Sequence, residues 1–272
     1  MALLFWILAV CLVALYFLLC PGRFSETQRQ MISGVNHAHR GLHAKDKTIP
    51  ENSLPAFRAA VEAGYGIELD IQLSRDGEVV VFHDDTLDRV CGVHGRVDAF
   101  TLAELRRMRL CGTQETIPLL TEVFDVMAGK TPMIIELKTG PRNDELCTKA
   151  LALMRAYSGP YCIESFDPRI VRWFKKNAPD ILRGQLADAP RSYGKAARLQ
   201  GVLMGGLFTN CLARPQFIAY GPGKKPWTAR LAEALGALRV CWTARPEDDI
   251  AAKEAENDAV IFEFYRPEPK YR

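Results

Sequence analysis

The sequence lacks the patterns that would assign it to several common classes of protein. Eight cysteines are scattered over 272 residues without a CxxC pair, so the chain is not read as a disulfide scaffold and its thiols are expected to be reduced. No glycine-rich loop of the GxGxxG or GxxxxGK[ST] kind occurs, which argues against a nucleotide-binding sheet. The net charge of +3 is too small to indicate a nucleic-acid partner.

Histidine is also scarce, and its distribution is uneven. The chain has five histidines, and three of them fall within the stretch VNHAHRGLH at residues 35–43. Metal binding, phosphate chemistry and chance are all open on this observation alone. For His37, His43 and His94 a structural role is the simpler interpretation.

The N-terminus differs from the rest of the chain. Residues 2–20 carry no charge, and an apolar run of this length just spans a hydrocarbon core of about 30 Å. A signal peptide is the rival interpretation, but the run has no basic region before it and no small-residue cleavage site after it. Because Arg23 and Arg29 follow the run, the positive-inside rule places the body of the protein in the cytoplasm.

These features predict three regions. Residues 1–21 form a single-pass membrane anchor, residues 22–34 form a short polar linker, and residues 35–272 form the globular domain. The short linker would hold that domain close to the bilayer. The protein is therefore expected at the membrane, with its globular domain on the cytoplasmic side.

Short apolar runs alternate with amphipathic segments through the globular domain. Candidate strands occupy residues 35–38, 66–72, 78–82, 132–137, 161–164, 181–186, 216–220, 238–242 and 259–264. Candidate helices lie between them, the first over 52–63 with Asn52 as its cap, and the Gly- and Pro-rich segment 201–226 is expected to be irregular. The alternation predicts an α/β fold, either an open doubly wound sheet or a (β/α)8 barrel. The length favours the TIM barrel, for which about 250 residues are typical.

Polar residues lie within or directly after several of these strands, although strands buried on both faces are expected to be apolar throughout. The polar positions are His39, Arg40, Glu68, Asp70, His83, Glu136, Lys138 and Trp242. The carboxyl ends of barrel strands converge on one mouth, where active sites lie. This placement favours a functional role for His39 and His83.

Three carboxylates on two strands indicate a cation site. Glu68 and Asp70 are two residues apart, so they point to the same face of a strand, where two like charges repel each other. A bound cation would remove the repulsion, and Glu136 in the apolar run MIIEL is the natural third ligand. Carboxylates without cysteine favour a hard ion, Mg²⁺ or Ca²⁺, over zinc. Lys138 lies on the same face as Glu136, and a structural ion pair is the alternative reading of it.

At these residues the sequence resembles the glycerophosphodiester phosphodiesterase family. The motifs that carry the resemblance are HRG at 39–41, PENS at 50–53, ELDIQLSRDGEVVVFHDDTLDRV at 68–90, IPLLTEVF at 117–124 and IELK at 134–138. SFDP at 165–168 and WT at 242–243 are weaker continuations. The order and spacing of the motifs make the resemblance specific, and the fold it implies is a (β/α)8 barrel.

The resemblance implies a role for each matching residue. His39 and His83 correspond to paired acid–base histidines, and one divalent cation, Mg²⁺ or Ca²⁺, would be bound by the metal ligands Glu68, Asp70 and Glu136. The residues implied in substrate binding are Arg40 and Lys138 as phosphate-contacting cations, Trp242 against the glycerol or head group, and Glu51. The sequence departs from the family after Trp242 and in the last strand, where Glu263 stands in for a usual aspartate, and this affects the expected substrate.

The expected activity is metal-dependent hydrolysis of glycerophosphodiesters at the membrane surface, releasing an alcohol and glycerol phosphate. Lysophospholipase D-type hydrolysis of lysophospholipids is one alternative, and a non-catalytic barrel that binds phosphate ligands is another. The partners expected are therefore a small-molecule or lysolipid phosphodiester and the membrane itself. Segment 205–227 is a candidate lipid-contacting surface, with Phe208, Phe217 and Trp227 as contacts.

Overall fold

The apolar runs close into a parallel barrel in the computed structural model, which describes residues 1–194 and 198–270. The strands are β1 (Asn36–Ala38), β2 (Gly66–Leu73), β3 (Val79–Val81), β4 (Met133–Leu137), β5 (Tyr161–Ser165), β6 (Arg183–Ala187), β7 (Phe217–Tyr220), β8 (Leu238–Ala244) and β9 (Ala259–Phe262). Eight strands form the ring, which closes where β1 pairs with both β2 and β9. Strand β3 adds to β2 in the antiparallel sense. The predicted TIM barrel is confirmed.

Two helices precede β1, and the helices that follow the barrel strands cover the outside of the ring. They are α1 (Ala2–Leu19), α2 (Glu26–Gln30), α3 (Leu54–Glu62), α4 (Asp88–Cys91), α5 (Leu102–Leu105), α6 (Leu120–Met127), α7 (Asn143–Ala156), α8 (Pro168–Asn177), α9 (Arg198–Gly205), α10 (Asn210–Ala213), α11 (Trp227–Ala234) and α12 (Ile250–Glu256). Short 3₁₀ turns lie at Val97–Ala99, Leu110–Gly112 and Pro190–Tyr193.

Alternation along the strands separates two apolar layers. In β2, Ile67, Leu69 and Ile71 belong to the cluster that includes side chains of α3 and α6. The residues between them, Glu68 and Asp70, therefore point into the barrel. A second cluster, which includes Ile134, Cys162, Phe217, Val240 and Ile261, fills the barrel interior. The carboxylates thus lie between this interior apolar cluster and the carboxyl ends of the strands.

Helix α3 is capped by Ser53. The sequence predicted Asn52 as the cap, and that prediction is wrong. Ser53 Oγ accepts a hydrogen bond from the backbone N–H of Ala56 at 3.4 Å and donates one to the carbonyl of Pro50 at 2.6 Å. Pro55 occupies the first turn of the helix, where its missing N–H costs no hydrogen bond. The side chain of Asn52 is left free to point into the barrel.

The apolar N-terminal run forms α1, which is the one helix in residues 1–194 and 198–270 that is long and apolar enough to cross a membrane. Only Leu19 of this helix is buried. The same length and composition are compatible with a membrane span and with a signal sequence.

The polar segment after α1 packs against the barrel. It contains α2, whose capping box joins Ser25 and Gln28. The side chain of Gln28 donates to the carbonyl of Asp180 at 2.6 Å, and Ile32 is fully buried in the interior cluster. Gly22 donates its N–H to the carbonyl of Pro215 at 2.9 Å. These contacts lie before β6 and β7, so the segment closes the N-terminal end of the barrel.

Segment 201–226 is more regular than the sequence predicted. Besides β7, which lies within the predicted strand 216–220, it contains the end of α9 and the whole of α10. Phe217 is fully buried in the barrel interior, so its predicted contact with lipid is wrong. Phe208 is partly buried against an apolar cluster, and Trp227 is 61% exposed at the start of α11.

Candidate active site

The polar residues singled out in the sequence converge at the carboxyl ends of the barrel strands. His39 follows β1, and its backbone N–H donates to the carbonyl of Phe262 on β9 at 2.9 Å. Asp70 on β2 lies opposite Glu136 on β4 in the parallel register. His83 follows β3, which is held beside β2 because the N–H of Phe82 donates to the carbonyl of Asp70 at 2.9 Å.

The three predicted metal ligands lie together. Carboxylate oxygens of Glu68, Asp70 and Glu136 are all within 4.8 Å of one another, and the three side chains are buried. Burial and the negative charges of Asp70 and Glu136 raise the pKa of Glu68 well above its usual value. Burial also raises the pKa of Glu136, against the opposing charge of Lys138. The cluster is therefore electrostatically unfavourable by itself.

The cluster has the properties of a site for a hard divalent cation. Asp70 Oδ1 is buried and accepts no hydrogen bond from residues 1–194 or 198–270, although Lys138 Nζ lies 3.4 Å away. Lys138 Nζ contacts Glu136 Oε1 at 2.9 Å. Three carboxylates offer the oxygen ligands that Mg²⁺ and Ca²⁺ prefer, and a cation would offset the repulsion that raises the pKa of Glu68. The residues present therefore fit such an ion.

Asp70 remains ionised among these acids because several cations and donors surround it. Burial opposes its ionisation, but Lys138, His83 and Arg40 lower its pKa below the usual range. Asn52 adds a hydrogen bond from Nδ2 to Asp70 Oδ2 at 2.8 Å. Sequence reasoning missed this role of Asn52, which occupies the third position of the PENS motif and adopts a positive φ of 52°.

His39 lies between two carboxylates. Its Nδ1 is 3.4 Å from Glu263 Oε1, and its Nε2 is 3.9 Å from Glu68 Oε2. Burial lowers the pKa of His39, and the hydrogen bond with Glu263 partly offsets that effect. A proton on Nδ1 directed at Glu263 leaves Nε2 as the free ring nitrogen facing the carboxylate cluster.

The carboxylate of Glu263 contacts two histidines, His39 and His43. Its Oε1 also lies 3.1 Å from His43 Nε2, and its Oε2 accepts a hydrogen bond from Arg245 Nε at 3.1 Å. Although burial opposes ionisation, the contacts with His39 and His43 lower the pKa of Glu263. His43, for which a structural role was the simpler interpretation, thus belongs to the edge of the site. The departure of the last strand from the family pattern was the signal for Glu263.

His83 has an equivalent partner of its own. His83 Nδ1 lies 2.6 Å from Asp84 Oδ1, and Arg89 Nε donates to Asp84 Oδ2 at 2.6 Å. Burial opposes ionisation of Asp84, yet hydrogen bonds from Arg89 and His83 lower its pKa. His83 is about one third exposed, so it is the more accessible of the two histidines.

Arg40 and Glu51 form part of a charged network at the mouth. Arg40 Nη1 donates to Glu51 Oε1 at 2.7 Å, and Arg40 Nε lies 3.6 Å from Asp70 Oδ2. Arg89 binds the same Glu51 through two hydrogen bonds of 2.7 Å. Burial opposes ionisation of Glu51, but the hydrogen bond from Arg89 and the charge of Arg40 lower its pKa to about 2. Glu51 thus holds two guanidinium groups beside the carboxylates.

Trp242 lies on β8 and forms part of the wall of the mouth. Its indole Nε1 donates to the carbonyl of Ala219 at 2.9 Å. Its ring packs edge-to-face against Phe166, with 5.6 Å between the ring centroids. This hydrogen bond and this contact fix the orientation of the indole.

Glu164 is a fourth buried acid that sequence reasoning overlooked. It lies opposite Glu136 in the register of β4 and β5, and it is 1% exposed. Burial and the charge of Glu136 raise its pKa well above the usual value. Its only sequence signal was a glutamate inside the apolar run YCIES.

The remaining histidines lie outside the site. His37 is fully buried two residues before His39 on β1, and burial lowers its pKa to about 3. It is therefore a neutral residue of the barrel interior. His94 is almost fully exposed and pairs with Asp88 at 3.0 Å.

The fold and the site define a TIM barrel with buried carboxylates, two carboxylate-paired histidines and several cations at its mouth. Residues 39–266 match the model of the Glycerophosphoryl diester phosphodiesterase family, and the chain belongs to that family. The predicted family is confirmed. Its members are phosphoric diester hydrolases, as the name of the family states.

Curated relatives agree with this family. The chain is 38% identical to a glycerophosphodiester phosphodiesterase of Caldanaerobacter subterraneus over 55% of its own length and 65% of that protein. It is 32% identical to a lysophospholipase D of Rattus norvegicus over 50% of its length and 46% of that protein. In both comparisons the chain spans less than two thirds of the relative.

Solved structures share the barrel. A glycerophosphodiester phosphodiesterase of Thermotoga maritima matches with a TM-score of 0.62 and 26% identity, over 84% of this chain and 93% of that chain. A phosphodiesterase of Oleispira antarctica, solved with the product sn-glycerol-3-phosphate, has the same fold, with a TM-score of 0.70 at 24% identity. That match covers 86% of this chain and 94% of the other.

Proposed function

We propose that the protein hydrolyses glycerophosphodiesters in a metal-dependent reaction, with His39 and His83 as the acid–base pair. The observation that carries the proposal is the carboxylate cluster of Glu68, Asp70 and Glu136 between two histidines that each have a carboxylate at Nδ1. The name of the family and the product bound to the Oleispira antarctica phosphodiesterase support the substrate class. A site that only bound phosphate would have no use for paired acid–base groups.

Substrate binding is assigned to the cations and to Trp242. Arg40 presents a planar guanidinium suited to a two-pronged contact with phosphate oxygens, and Lys138 supplies a point charge. Glu51 holds Arg40 in place through the 2.7 Å hydrogen bond. The fixed indole of Trp242 offers an apolar face to the carbon atoms of the glycerol or head group.

Glu68, Asp70 and Glu136 would hold the divalent cation, which when bound neutralises phosphoryl charge and orients the attacking oxygen. One histidine removes the proton from the attacking oxygen as the new oxygen–phosphorus bond forms. The other donates a proton to the alkoxide that leaves as the old bond breaks. Glu263 and Asp84 keep the two rings in the orientations that these transfers need.

Replacement of either histidine tests the acid–base assignment. His39→Ala and His83→Ala are each expected to lower kcat by about 10²–10⁴-fold, the usual contribution of a general acid or base. Release of choline from glycerophosphocholine measures turnover, and thermal unfolding verifies that the variants fold. His94→Ala is the matched control because His94 is almost fully exposed and pairs with Asp88, which is not one of the three carboxylates of the cluster. Turnover near the wild-type rate in either active-site variant contradicts the assignment.

Chelation tests the cation independently of turnover. EDTA treatment is expected to abolish hydrolysis, and added Mg²⁺ or Ca²⁺ is expected to restore it and to raise Tm, because an ion that binds only the folded state stabilises it. In Glu136→Gln the same ion should raise Tm less. Hydrolysis that survives chelation, with no shift of Tm, refutes a metal-dependent reaction.

We also propose that α1 is a single-pass anchor and that the barrel lies in the cytoplasm, at the membrane surface. The support is the length and hydropathy of α1 and the two arginines that follow it. Protease added outside intact cells is expected to leave the barrel uncut. Cleavage of the barrel under those conditions, or its release into the medium without α1, contradicts the topology.

A further inference from the structure

We propose that a cavity beside the catalytic mouth, the α9 cavity, binds the alkyl chain of a single-chain phosphodiester lipid. The inference rests on the proposed function, because it places the phosphate of that lipid at the mouth. It adds a binding site for the part of the substrate that is not cleaved. The apolar and aromatic residues that line the α9 cavity are Phe166, Pro168, Tyr193, Leu199, Leu203 and Met204, and its polar lining residues are Thr139, Asp167, Arg169, Gln200 and Thr209.

The size and lining of the α9 cavity suit an aliphatic ligand. Its volume is about 900 Å³, within the range of about 300–1,000 Å³ that is usual for small-molecule sites. Six of its eleven lining residues are apolar or aromatic. The polar lining residues Asp167 and Arg169 are paired with each other at 2.6 Å, so their charges do not require a ligand. The free surface in the cavity is therefore largely one for hydrocarbon.

The α9 cavity shares its inner wall with the catalytic mouth. Thr139 follows Lys138, whose ammonium group contacts Glu136 and Asp70 in the carboxylate cluster. Phe166 faces the cavity and also packs against Trp242 at the mouth. A ligand with its phosphate at Lys138 would therefore have the cavity directly beside it.

The outer end of the α9 cavity opens on an apolar surface. After α1, the exposed large apolar side chains of the described residues are Leu199, Val202, Leu203, Leu212, Trp227 and Phe264. All but Phe264 lie on α9, on α10 or at the start of α11. Such clustering marks a binding surface, because single exposed apolar residues are normally scattered.

The position of α1 indicates that this apolar surface meets the bilayer. Helix α1 packs against α10 and α11, the same elements that carry Leu212 and Trp227. Basic residues lie next to the surface, since Arg191, Lys224 and Lys225 line a hollow with Trp227. Basic groups beside apolar ones are typical of surfaces that rest on anionic lipid headgroups.

The α9 cavity has a polar side next to the mouth and an apolar side at the surface, and this polarity matches one class of ligand. The inner end lies beside Lys138, and at the outer end Leu199 is 73% exposed. A lipid with one alkyl chain and one phosphodiester has this polarity along its length, whereas a fully deacylated glycerophosphodiester has nothing to fill the cavity. We therefore assign the α9 cavity to the chain of a lysophospholipid-like molecule.

A chain-length series tests the α9 cavity in the full-length protein. Lysophosphatidylcholines of increasing acyl length, kept below their critical micelle concentrations, are compared with glycerophosphocholine by choline release. In the wild type KM is expected to fall with each added methylene, by up to about fourfold per fully buried CH₂. In Leu203→Asp this slope should flatten, with KM for the longer chains raised at least about tenfold. Turnover of glycerophosphocholine should change by less than about twofold.

Two further variants show whether the effect of Leu203→Asp on KM comes from the cavity, from the apolar surface or from misfolding. Leu212→Asp is the matched control, because Leu212 lies on the apolar surface but does not line the cavity, and it should keep the wild-type slope on dispersed substrate. Leu199→Asp repeats the test at a more exposed position. A wild-type KM that does not depend on chain length, or a slope unchanged in both cavity variants, overturns the proposal while leaving hydrolysis of glycerophosphocholine intact. Absence of hydrolysis with every diester instead overturns the proposed function and the inference together.

Discussion

Glu263 is the residue on which the orientation of His39 depends. One carboxylate contacts His39 and His43 through Oε1 and Arg245 through Oε2, so its position is fixed from three sides. A carboxylate at Nδ1 selects the tautomer whose Nε2 is free to exchange a proton with a substrate. Glu263 forms no hydrogen bond or ion pair with Arg40 or Lys138. Its contribution should therefore appear in the chemical step and not in binding of phosphate.

Glu263→Gln is expected to lower kcat by about 10- to 100-fold with little change of KM, because an amide N–H facing Nδ1 favours the wrong tautomer of His39. Steady-state kinetics on glycerophosphocholine measure this separation of kcat from KM. Glu263→Asp keeps the carboxylate and should recover part of kcat. Arg245→Gln leaves the Oε1 contacts in place and is the control for the loss of the Oε2 contact. A positioning role would be contradicted if KM of Glu263→Gln rose by the same factor by which kcat fell. It would also be contradicted if Glu263→Asp lost as much kcat as Glu263→Gln.

Residue types and spacing predicted the carboxylates that the structure brings together, but not the residues that contact the candidate site from other parts of the chain. Glu68, Asp70 and Glu136 are recognisable because charge inside an apolar strand needs an explanation. Asn52, Glu164 and Glu263 come from other parts of the chain, and only the closure of the barrel brings them to the same mouth. Asn52 was instead read as a helix cap, since the preference of Asn for caps is the stronger local signal.

At the scale of elements, period-two and apolar-run patterns located every strand of the barrel within a few residues. The crossover between β6 and β7 was the exception. Its helices α9 and α10 carry exposed apolar residues such as Leu203 and Leu212, so they lack the amphipathic pattern of a helix packed on a soluble barrel. Phe217 was placed correctly in the candidate strand 216–220, but its contact with lipid was wrong because the sequence does not show which face of that short apolar strand points into the barrel.

Where β6 pairs with β7, the structure leaves no room for a side chain at Gly184. Gly184 lies opposite Phe217 in the parallel register, and a Cβ at Gly184 would overlap the ring of Phe217. Gly184→Ala is therefore expected to lower the free energy of unfolding by about 1–3 kcal/mol, the usual cost of overpacking a core. Chemical denaturation of the variant and the wild type measures the difference.

A second substitution distinguishes this clash from a general preference for glycine. Phe217→Leu removes the ring that a Cβ at Gly184 would meet, so Gly184→Ala should cost less in that background than in the wild type. Gly92→Ala is not a suitable control because Gly92 has a positive φ. Gly140→Ala is suitable, since no atom of the described residues other than its chain neighbours lies within 4 Å of its Cβ position. Strictly additive effects of Gly184→Ala and Phe217→Leu would show that the two residues do not compete for the same space.

At the scale of the whole molecule, α1 and the mouth are attached to opposite ends of the barrel. The chain leaving α1 contacts residues that precede β6, β7 and β9, through Gln28 to Asp180, Gly22 to Pro215 and Gly34 to Asp258. The carboxylate cluster lies at the other end of the strands. Helix α1 packs against α10 and α11, so the exposed apolar residues Leu212 and Trp227 lie on the elements next to α1.

The same arrangement makes the segment after α1 part of the folded body. Ile32 is fully buried among interior residues of the barrel, whereas Ile7 in α1 is 52% exposed. Ile32→Ala is expected to lower the free energy of unfolding by about 2–5 kcal/mol because it leaves a cavity at the closed end of the barrel. Ile7→Ala, measured in the same detergent, should change it by no more than about 0.5 kcal/mol. A cost for Ile32→Ala as small as that of the control would mean that residues 22–34 are a spacer and that the barrel closes without them.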